Sequence, residues 1–443
     1  MQRLLIANRG EIALRILRAC RQSAIEVVAA YSRVDEDLRH LELSDDTVCI
    51  GRESYMDGDQ LLAAAISRGC DAVHPGYGFL SENAEFAARA ESEGLNFVGP
   101  TSGQIRVMGN KSEARQLLAE HGVPVLPGSV GPANDLDEVR EVAAQAGFPV
   151  LLKASHGGGG RGICLVESAD LLEAAYLETT SQALNYFGDG ELYVEKYLAN
   201  ARHIEIQVAG DGRGQVISLG ARDCSVQRRH QKLIEEAPPP GIDNSSLQSL
   251  AELCCSALAN LHYRNLGTLE FLYQDGSFYF IEMNTRLQVE HPVTEAITGL
   301  DLVSLQLEIA GSGSLPITQS AVSSEGHAIE CRINAEDENF NPSPGKVTEL
   351  RWPGGPGVRL DSHLYEGYRI PHQYDSLVGK LVCTGRDRDT ALARMRGALD
   401  ETCIRPIATN IGLHRKILRE PAFLHGGVST GYLETMNLQR ERS

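Results

Sequence analysis

The sequence predicts an α/β chain, α+β overall. It should hold an N-terminal doubly wound parallel-sheet domain, a glycine-loop lid subdomain and a C-terminal antiparallel-sheet domain. Three observations predict this. The first hundred residues alternate short apolar runs with helical spacing, the rhythm of a parallel sheet. From about residue 109 a glycine run separates two strand-like segments. From about residue 200 strands follow one another through short turns. The 443 residues suggest about three domains. With 42% apolar and 23% charged residues, the chain can bury real cores.

The elements follow in order. Arg3–Asn8 is a short apolar run, and Glu11–Cys20 repeats Ile12, Leu14, Ile16 and Leu17 at helical spacing. Val27–Tyr31 reads as strand and Gln60–Ser67 as helix. Ala72–His74 leads into the tight Pro75-Gly76-Tyr77-Gly78, and Ala84–Ala90 is helical before Phe97-Val98-Gly99-Pro100 closes the region. The first strand–helix turn, Asn8-Arg9-Gly10-Glu11, lacks GxGxxG, so a dinucleotide-binding Rossmann site is disfavoured. Helices near Ser112–His121 and Leu136–Ala146 flank the turn-rich Val123–Pro132. Phe148–Ser155 is a strand carrying Lys153, and Ile163–Val166 is the next strand. His203–Ala209, Gln215–Leu219, Thr268–Tyr273 and Phe278–Asn284 read as strands, with a helix over Ser246–Asn260. Gly311–Ser324 has linker composition, and a last section has a helix near Thr390–Glu401. The boundaries expected are 1–108, 109–312 with the lid at about 125–198, and 327–435.

Composition excludes several classes. There are 41 Lys+Arg against 59 Asp+Glu, a net charge of −18, so no nucleic-acid partner and no anionic membrane surface is expected. No apolar run approaches the ~20 residues that span a bilayer. Met1 to Cys20 has no signal-peptide core. The ten cysteines are scattered without a CxxC pair or a zinc spacing, which suits reduced thiols and a cytoplasmic location. Only seven of the basic residues are Lys, so each Lys marks a place where a compact ammonium is wanted. Lys111, Lys153, Lys196 and Lys232 draw attention first.

Three segments carry chemistry. The run His156-Gly157-Gly158-Gly159-Gly160-Arg161-Gly162 joins two strands, so it is a hairpin rather than a P-loop. Its bare backbone N–H groups suit closing over an anion, the alternative being a mobile surface loop. The stretch Glu282-Met283-Asn284-Thr285-Arg286-Leu287-Gln288-Val289-Glu290 alternates, and in extended chain its even residues share one side. Hard oxygen donors beside an Arg fork suit magnesium plus an oxyanion, against the alternative of a solvated strand face. Glu270 lies on the preceding strand. It shares a face with Glu282 if the loop around Gln274-Asp275-Gly276-Ser277 has an odd number of residues, such as three with Gly276 in a bulge. Gln227-Arg228-Arg229-His230-Gln231-Lys232 is a basic cluster suited to a small anion. His203, Glu205 and Gln207 share one strand face, and Cys224 reads as a small buried residue.

The blocks IANRGEIALRILRAC, HPGYGFLSEN, KASHGGGGRG, EKYL, ARHIEIQV, RDCSVQRRHQKLIEEAP, EMNTRLQVEHPVTE, ECRINAED and SPGKV resemble biotin carboxylase, the ATP-grasp component of biotin-dependent carboxylases. The resemblance runs essentially end to end, and the length is similar to that of the stand-alone bacterial subunit of acetyl-CoA carboxylase. It implies an ATP-grasp fold and ATP-dependent carboxylation of biotin by bicarbonate, through carboxyphosphate. Lys111 and Lys153 would contact ATP phosphates, with Gly159 and Gly160 in the lid. Glu195, Lys196, Tyr197 and Leu198 would form the adenine hinge, and His203, Gln227 and His230 would line the nucleotide site. Glu270, Glu282 and Asn284 would hold magnesium or manganese. Lys232, Arg286, Gln288 and Val289 would hold bicarbonate, with Glu290 as its general base beside cationic Arg286. Arg332 would stabilise the biotin enolate.

The resemblance further implies a biotin carboxyl carrier protein, a carboxyltransferase and a homodimer. The final acceptor would be acetyl-CoA, or alternatively pyruvate or another acyl-CoA. A biotin-independent carboxylate–amine ligase is the other class, disfavoured by Arg286, Gln288, Glu290 and Arg332. The dimer contacts would involve Arg18, Gln22, Pro356 and Arg359. Gln22 stands where an acidic residue is usual and Pro356 where an aromatic is usual, which implies a weakened dimer. His156 stands where another glycine is expected, and the stretch between Gly51 and His74 is a few residues short for the family. Biotin in carrier domains sits on a Lys flanked by Met, and no Met-Lys-Met stands in this chain. Intact-mass and peptide spectrometry of the purified protein should therefore find none of the seven lysines biotinylated.

Overall fold

The computed structural model describes residues 1–51, 55–129, 131–133, 135–154 and 162–440. His156, Gly159 and Gly160 of the glycine run lie outside the described residues. The N-terminal section is a five-stranded parallel sheet. Its strands are β1 (Arg3–Ile6), β2 (Glu26–Tyr31), β3 (Asp46–Cys49), β4 (Ala72–His74) and β5 (Asn96–Phe97), in the order β3-β2-β1-β4-β5. The switch of direction at β1 places the turn after it, Asn8 to Gly10, at the carboxyl edge, where open α/β sheets present ligand sites. Gly10 opens the helix Gly10–Gln22 at φ 67°, a conformation that favours glycine.

A small antiparallel sheet forms the next unit: β6 (Val150–Ala154), β7 (Ile163–Val166) and β8 (Leu192–Lys196), in the order β7-β6-β8. The helices Leu136–Ala146 and Leu172–Phe187 pack on this sheet. Their core is Val139, Ala143, Val150, Leu152, Val166, Leu172 and Val194. The second helix has Thr-Thr-Ser in its middle, weak helix formers, and its packing on β6 and β7 decides it.

The main sheet has eight antiparallel strands: β9 (Arg202–Asp211), β10 (Val216–Arg228), β11 (Gln231–Ala237), β12 (Arg264–Gln274), β13 (Ser277–Asn284) and β14 (His327–Asn334), then two from the C-terminal section. That section contains the short pair β15 (Gly345–Lys346) with β18 (Arg369–Ile370), and β16 (Glu349–Arg351) with β20 (Cys403–Arg405). Its long strands are β17 (Val358–Ser362) and β19 (Leu377–Gly385). The sheet order is β13-β12-β9-β10-β11-β14-β19-β17. The middle and C-terminal sections thus share one sheet, joined where β11 pairs with β14. The largest core lies beneath its C-terminal part and takes Leu38 from the first section.

Two sequence expectations are corrected here. The strand read as Gln215–Leu219 continues to Arg228, and the basic cluster is no separate patch. It is the end of β10, a two-residue turn at Arg229-His230 and the start of β11. The polar run hid the strand because its buried residues are paired: Arg222 with Glu205, and Asp223 with Arg202. The turn between β12 and β13 is also even. Gln274 pairs with Ser277 across Asp275-Gly276, both at positive φ, a two-residue hairpin turn. The extra residue sits in the strand instead. The register shifts between Phe271↔Phe280 and Glu270↔Glu282, leaving Ile281 unpaired as a bulge. That bulge restores the parity that brings Glu270 and Glu282 to the same face.

Candidate active site

Strand register builds the floor of the site. Arg222 on β10, Glu205 on β9, Glu270 on β12 and Glu282 on β13 are successive partners, one row across four strands. Arg222 is fully buried, donating to Glu205 at 2.8 Å, to Gln207 at 2.7 Å and to Thr294 at 2.9 Å. Gln207 thus serves this network, and His203, on the same strand face, meets Glu270 at 3.1 Å.

Lys232, from the start of β11, reaches into this row. Its ammonium donates to Glu205, to Glu270 at 2.8 Å and to Glu290 at 2.8 Å. Burial opposes charge on all these groups. Yet Lys232 and Arg222 hold the Glu205 carboxyl well below the usual carboxylate range, and Lys232 and His203 do so for Glu270. Glu290 is also held low against burial, by Lys232 and Arg332. Arg332 donates to Glu290 at 2.9 Å and to Glu235 at 2.5 Å. The cations in contact with Glu290 are therefore Lys232 and Arg332, whereas the sequence reading expected Arg286. Arg286 instead donates to Glu82 at 2.8 Å and to Asn284 at 2.7 Å.

The alternating stretch is extended only as far as Asn284. It then turns, and Glu290 stands at the position just before the helix His291–Thr298, whose early Pro292 suits a first turn. Glu282, Asn284, Arg286, Gln288 and Glu290 nevertheless converge on one cavity of about 1140 Å³, with Val289 beside them. Gln288 donates to Glu270 at 3.0 Å, and the Val289 carbonyl accepts from Lys380 at 2.9 Å.

The same cavity extends to the small sheet. Lys111, Lys153, Glu195, Lys196, Tyr197 and Leu198 line that end, and His203, Gln227, His230, Lys232, Glu270 and Arg332 line the rest. Lys153 donates to Glu195, which also pairs with Arg115 at 2.8 Å. Lys196 turns its ammonium to the carbonyls of Gly147 and Phe148, at 2.8 and 3.0 Å, just past the end of the helix Leu136–Ala146. Gln227 donates to the Cys224 carbonyl at 2.8 Å. Cys224 is buried beside Glu205, and its thiol is pushed well above the usual range, as expected for a small core residue. Every described residue that the resemblance gives to the nucleotide, metal, bicarbonate or biotin thus lines one cavity; Gly159 and Gly160 lie outside the described residues.

The carboxylate pair suits a divalent cation. Burial and then the charge of Glu270 raise the Glu282 pKa, while Lys111 stands off at 3.9 Å. A hard cation between the two would relieve that repulsion. Asn284 is more engaged: its Oδ1 accepts from Arg286, and its amide donates to Glu270 at 2.7 Å. The clusters His203–Glu205–Glu270 and Glu205–Cys224–Glu290 also gather potential ligands, but Lys232 sits against all three carboxylates and supplies the positive charge there.

The chain belongs to the biotin carboxylase family. Residues 1–105 match the family model for the biotin carboxylase N-terminal domain and residues 330–435 that for the biotin carboxylase C-terminal domain. Residues 110–318 match the model for the carbamoyl-phosphate synthase L chain, ATP binding domain. A biotin carboxylase of Pseudomonas aeruginosa is 53% identical over 441 residues, covering 98% of both chains. The structure of a biotin carboxylase–beta-gamma-ATP complex from Campylobacter jejuni superposes with a TM-score of 0.94 at 44% identity over 98% of each chain. A Hydrogenobacter thermophilus 2-oxoglutarate carboxylase domain gives 0.93 at 42% identity, covering 98% of this chain and 97% of that one. It is a biotin carboxylase domain dimer with MgADP, ADP and bicarbonate. The fold here is the ATP-grasp biotin carboxylase fold.

Sequence reasoning named Glu205 only as part of a strand face and did not single out Glu82, Arg222 or Glu235. Glu82 stands in the quoted block HPGYGFLSEN and Arg222 opens RDCSVQ. Their roles depend on strands and loops far apart in the chain, so no local pattern reveals them.

His203 gives a pH signature. Burial lowers its pKa, but Glu270 outweighs that and lifts it to about 9 from an unfolded value of 6.5. The stability this contributes is full below pH ~6.5 and lost as pH rises through about 9. His203→Gln should destabilise the nucleotide-free protein by up to about 3 kcal/mol at pH 6. The gap should close above pH 9, as read by denaturant unfolding at each pH.

Proposed function

We propose that the protein is a ligase that carboxylates the ureido nitrogen of biotin, using ATP to activate bicarbonate. The observation that carries this is Glu290, a buried carboxylate held ionised between Lys232 and Arg332 at the floor of the cavity. It has the charge state of a base that takes a proton from bicarbonate. The bicarbonate oxygen attacks the terminal phosphorus of ATP, ADP leaves, and carboxyphosphate forms. Lys232, Arg286, Gln288 and the Val289 backbone hold the anion. Lys111 and Lys153 hold the phosphates, and residues 195–198 hold the adenine. Magnesium or manganese between Glu270 and Glu282, with Asn284 beside them, would offset phosphate charge during transfer.

Carboxyphosphate then breaks to carbon dioxide and phosphate, phosphate takes the ureido proton, and the ureido nitrogen adds to the carbon of carbon dioxide, giving carboxybiotin. Arg332 faces the oxygen on which negative charge develops, a fixed cationic donor. Biotin would arrive on a separate carrier protein, and a carboxyltransferase would pass the carboxyl group on. Acetyl-CoA is the proposed final acceptor, in keeping with the stand-alone length. The 2-oxoglutarate carboxylase relative shows that the same fold serves other acceptors. Among the described residues no helix is long and apolar enough to cross a membrane, and all ten cysteines are free, which supports a cytoplasmic location.

A homodimer through the first helix and β17 is part of this reading. Arg18, Gln22 and Arg359 line one shallow groove, where Arg359 is tied within its own chain to Glu295 and Asp361, each at 2.7 Å. Pro356 lies exposed at its edge.

Biotin- and bicarbonate-dependent release of ADP tests the activity. Arg332→Ala should lower biotin carboxylation about a hundredfold while ATP affinity stays near that of the parent. Glu282→Gln should instead weaken every ATP-dependent activity, with a raised metal requirement. Equal failure of both variants in nucleotide binding would show the division of roles to be wrong. Gln22 and Pro356 should leave the dimer dissociating about a hundredfold more readily than is usual for the family. Analytical ultracentrifugation across a dilution series reads this directly, and a dimer intact at nanomolar protein would contradict it.

A further inference from the structure

Next to Arg332, but outside the cavity lining, lies a carboxyl pair that the chemistry above does not use. Glu235 on β11 and Glu330 on β14 stand directly opposite in the antiparallel register. Residues so paired have Cβ atoms about 5 Å apart and point to the same face. Both side chains are 0% exposed. Glu235 accepts from the Arg332 Nε at 2.5 Å through Oε1, while its Oε2 accepts nothing. Neither oxygen of Glu330 has a partner.

Three buried carboxyl oxygens without a donor are costly, and two adjacent carboxylates repel. One proton relieves both problems, because a protonated Glu330 can donate to Glu235 Oε2. The surroundings leave room for one further negative charge rather than two. Arg332 is already shared between Glu235 and Glu290. Lys380, opposite Arg332 on β19, turns to Glu11 at 3.0 Å and to the Val289 carbonyl. Tyr77 donates to Glu11. The helix His291–Thr298 packs on β14 and β11, bringing His291, kept neutral by burial and by Lys380, and Glu295, which turns to Arg15 and Arg359.

We propose that Glu235 and Glu330 share one proton and act as a positioning pair for Arg332. Glu235 holds the guanidinium through Nε, leaving Nη2 on Glu290 and toward the reacting centre, and Glu330 behind it keeps the charge of the pair at one negative unit. Burial raises the Glu235 pKa to about 7 and carries that of Glu330 well above its usual range, in keeping with a carboxyl pair that retains a proton at neutral pH. At alkaline pH the shared proton leaves, a second negative charge appears beside Arg332, and its pull on the developing oxyanion weakens. The inference rests on the biotin carboxylase reading.

The test compares the full-length parent, Glu330→Gln and Glu235→Gln by biotin-dependent ADP release from pH 6 to 9.5, with melting temperatures as a fold control. A parent without biotin-dependent turnover defeats the underlying reading and the pairing with it. In an active parent the pairing is tested alone. Glu330→Gln supplies a permanent N–H donor, so the alkaline limb of kcat should move up by one pH unit or more. Glu235→Gln keeps an acceptor for Arg332 but loses its charge, so kcat should fall about tenfold with the KM for ATP within twofold. An alkaline limb that coincides with the parent's in Glu330→Gln overturns the proposal. If that variant does not fold, a Glu235→Gln kcat equal to the parent's overturns it.

Discussion

The Lys232 ammonium is the interaction on which the site depends. It binds three buried carboxylates at once, Glu205, Glu270 and Glu290, from two neighbouring strands and the start of a helix. Unit charges at these separations interact by several kcal/mol at an effective dielectric near 20. Without the ammonium, three negative charges would share one desolvated corner, left to the contacts of Arg222, Arg332 and His203. A strongly hydrated, compact cation on a flexible stem suits a site with three carboxylates pointing inward around one point, whereas a guanidinium spreads its donors in one fixed plane. In a chain so rich in arginine, the lysine here reflects that geometry.

The rest of the fold is arranged to hold this corner. The row Arg222–Glu205–Glu270–Glu282 exists because four strands keep register, and because a bulge at Ile281 absorbs the mismatch left by a two-residue turn. The loop after β13 is pinned from two other sections of the chain. Glu82 of the N-terminal section accepts from Arg286 and from the Thr285 backbone, at 2.8 and 2.9 Å. Lys380 of the C-terminal section holds the Val289 carbonyl and pairs with Glu11. No single section could form the site alone. The continuous sheet through β11 and β14 brings Arg332 within reach of Glu290, and the N-terminal sheet closes the opposite wall through Asn8 to Glu11 and Tyr77.

Electrostatics divide the cavity by function. At its floor the carboxylates are held ionised by cations in direct contact. On β13, Glu282 is buried beside the charge of Glu270 with Lys111 standing off at 3.9 Å, the state a divalent cation would relieve. Outside the cavity lining, the Glu235–Glu330 pair has three carboxyl oxygens without a donor. Identical side chains thus meet three electrostatic environments within one protein, set by which cations reach them.

The sequence by itself determined the fold class, the order of the sections and the residue types of the site. Periodicity marks the helices Gly10–Gln22 and Leu136–Ala146 and the strands β2 and β4, because each buries one face or is wholly apolar. It also pointed to Glu270, Glu282 and Glu290, which the fold brings to one cavity. Only the tertiary structure decided the polar half of β10, the bulge at Ile281, and the partners of Glu290 and Arg286. These depend on pairings between residues tens to hundreds of positions apart: Arg222 with Glu205, Arg332 with Glu290, Arg286 with Glu82. A buried charge is stable only beside its partner, and chain-local patterns carry no record of which distant partner will come to it.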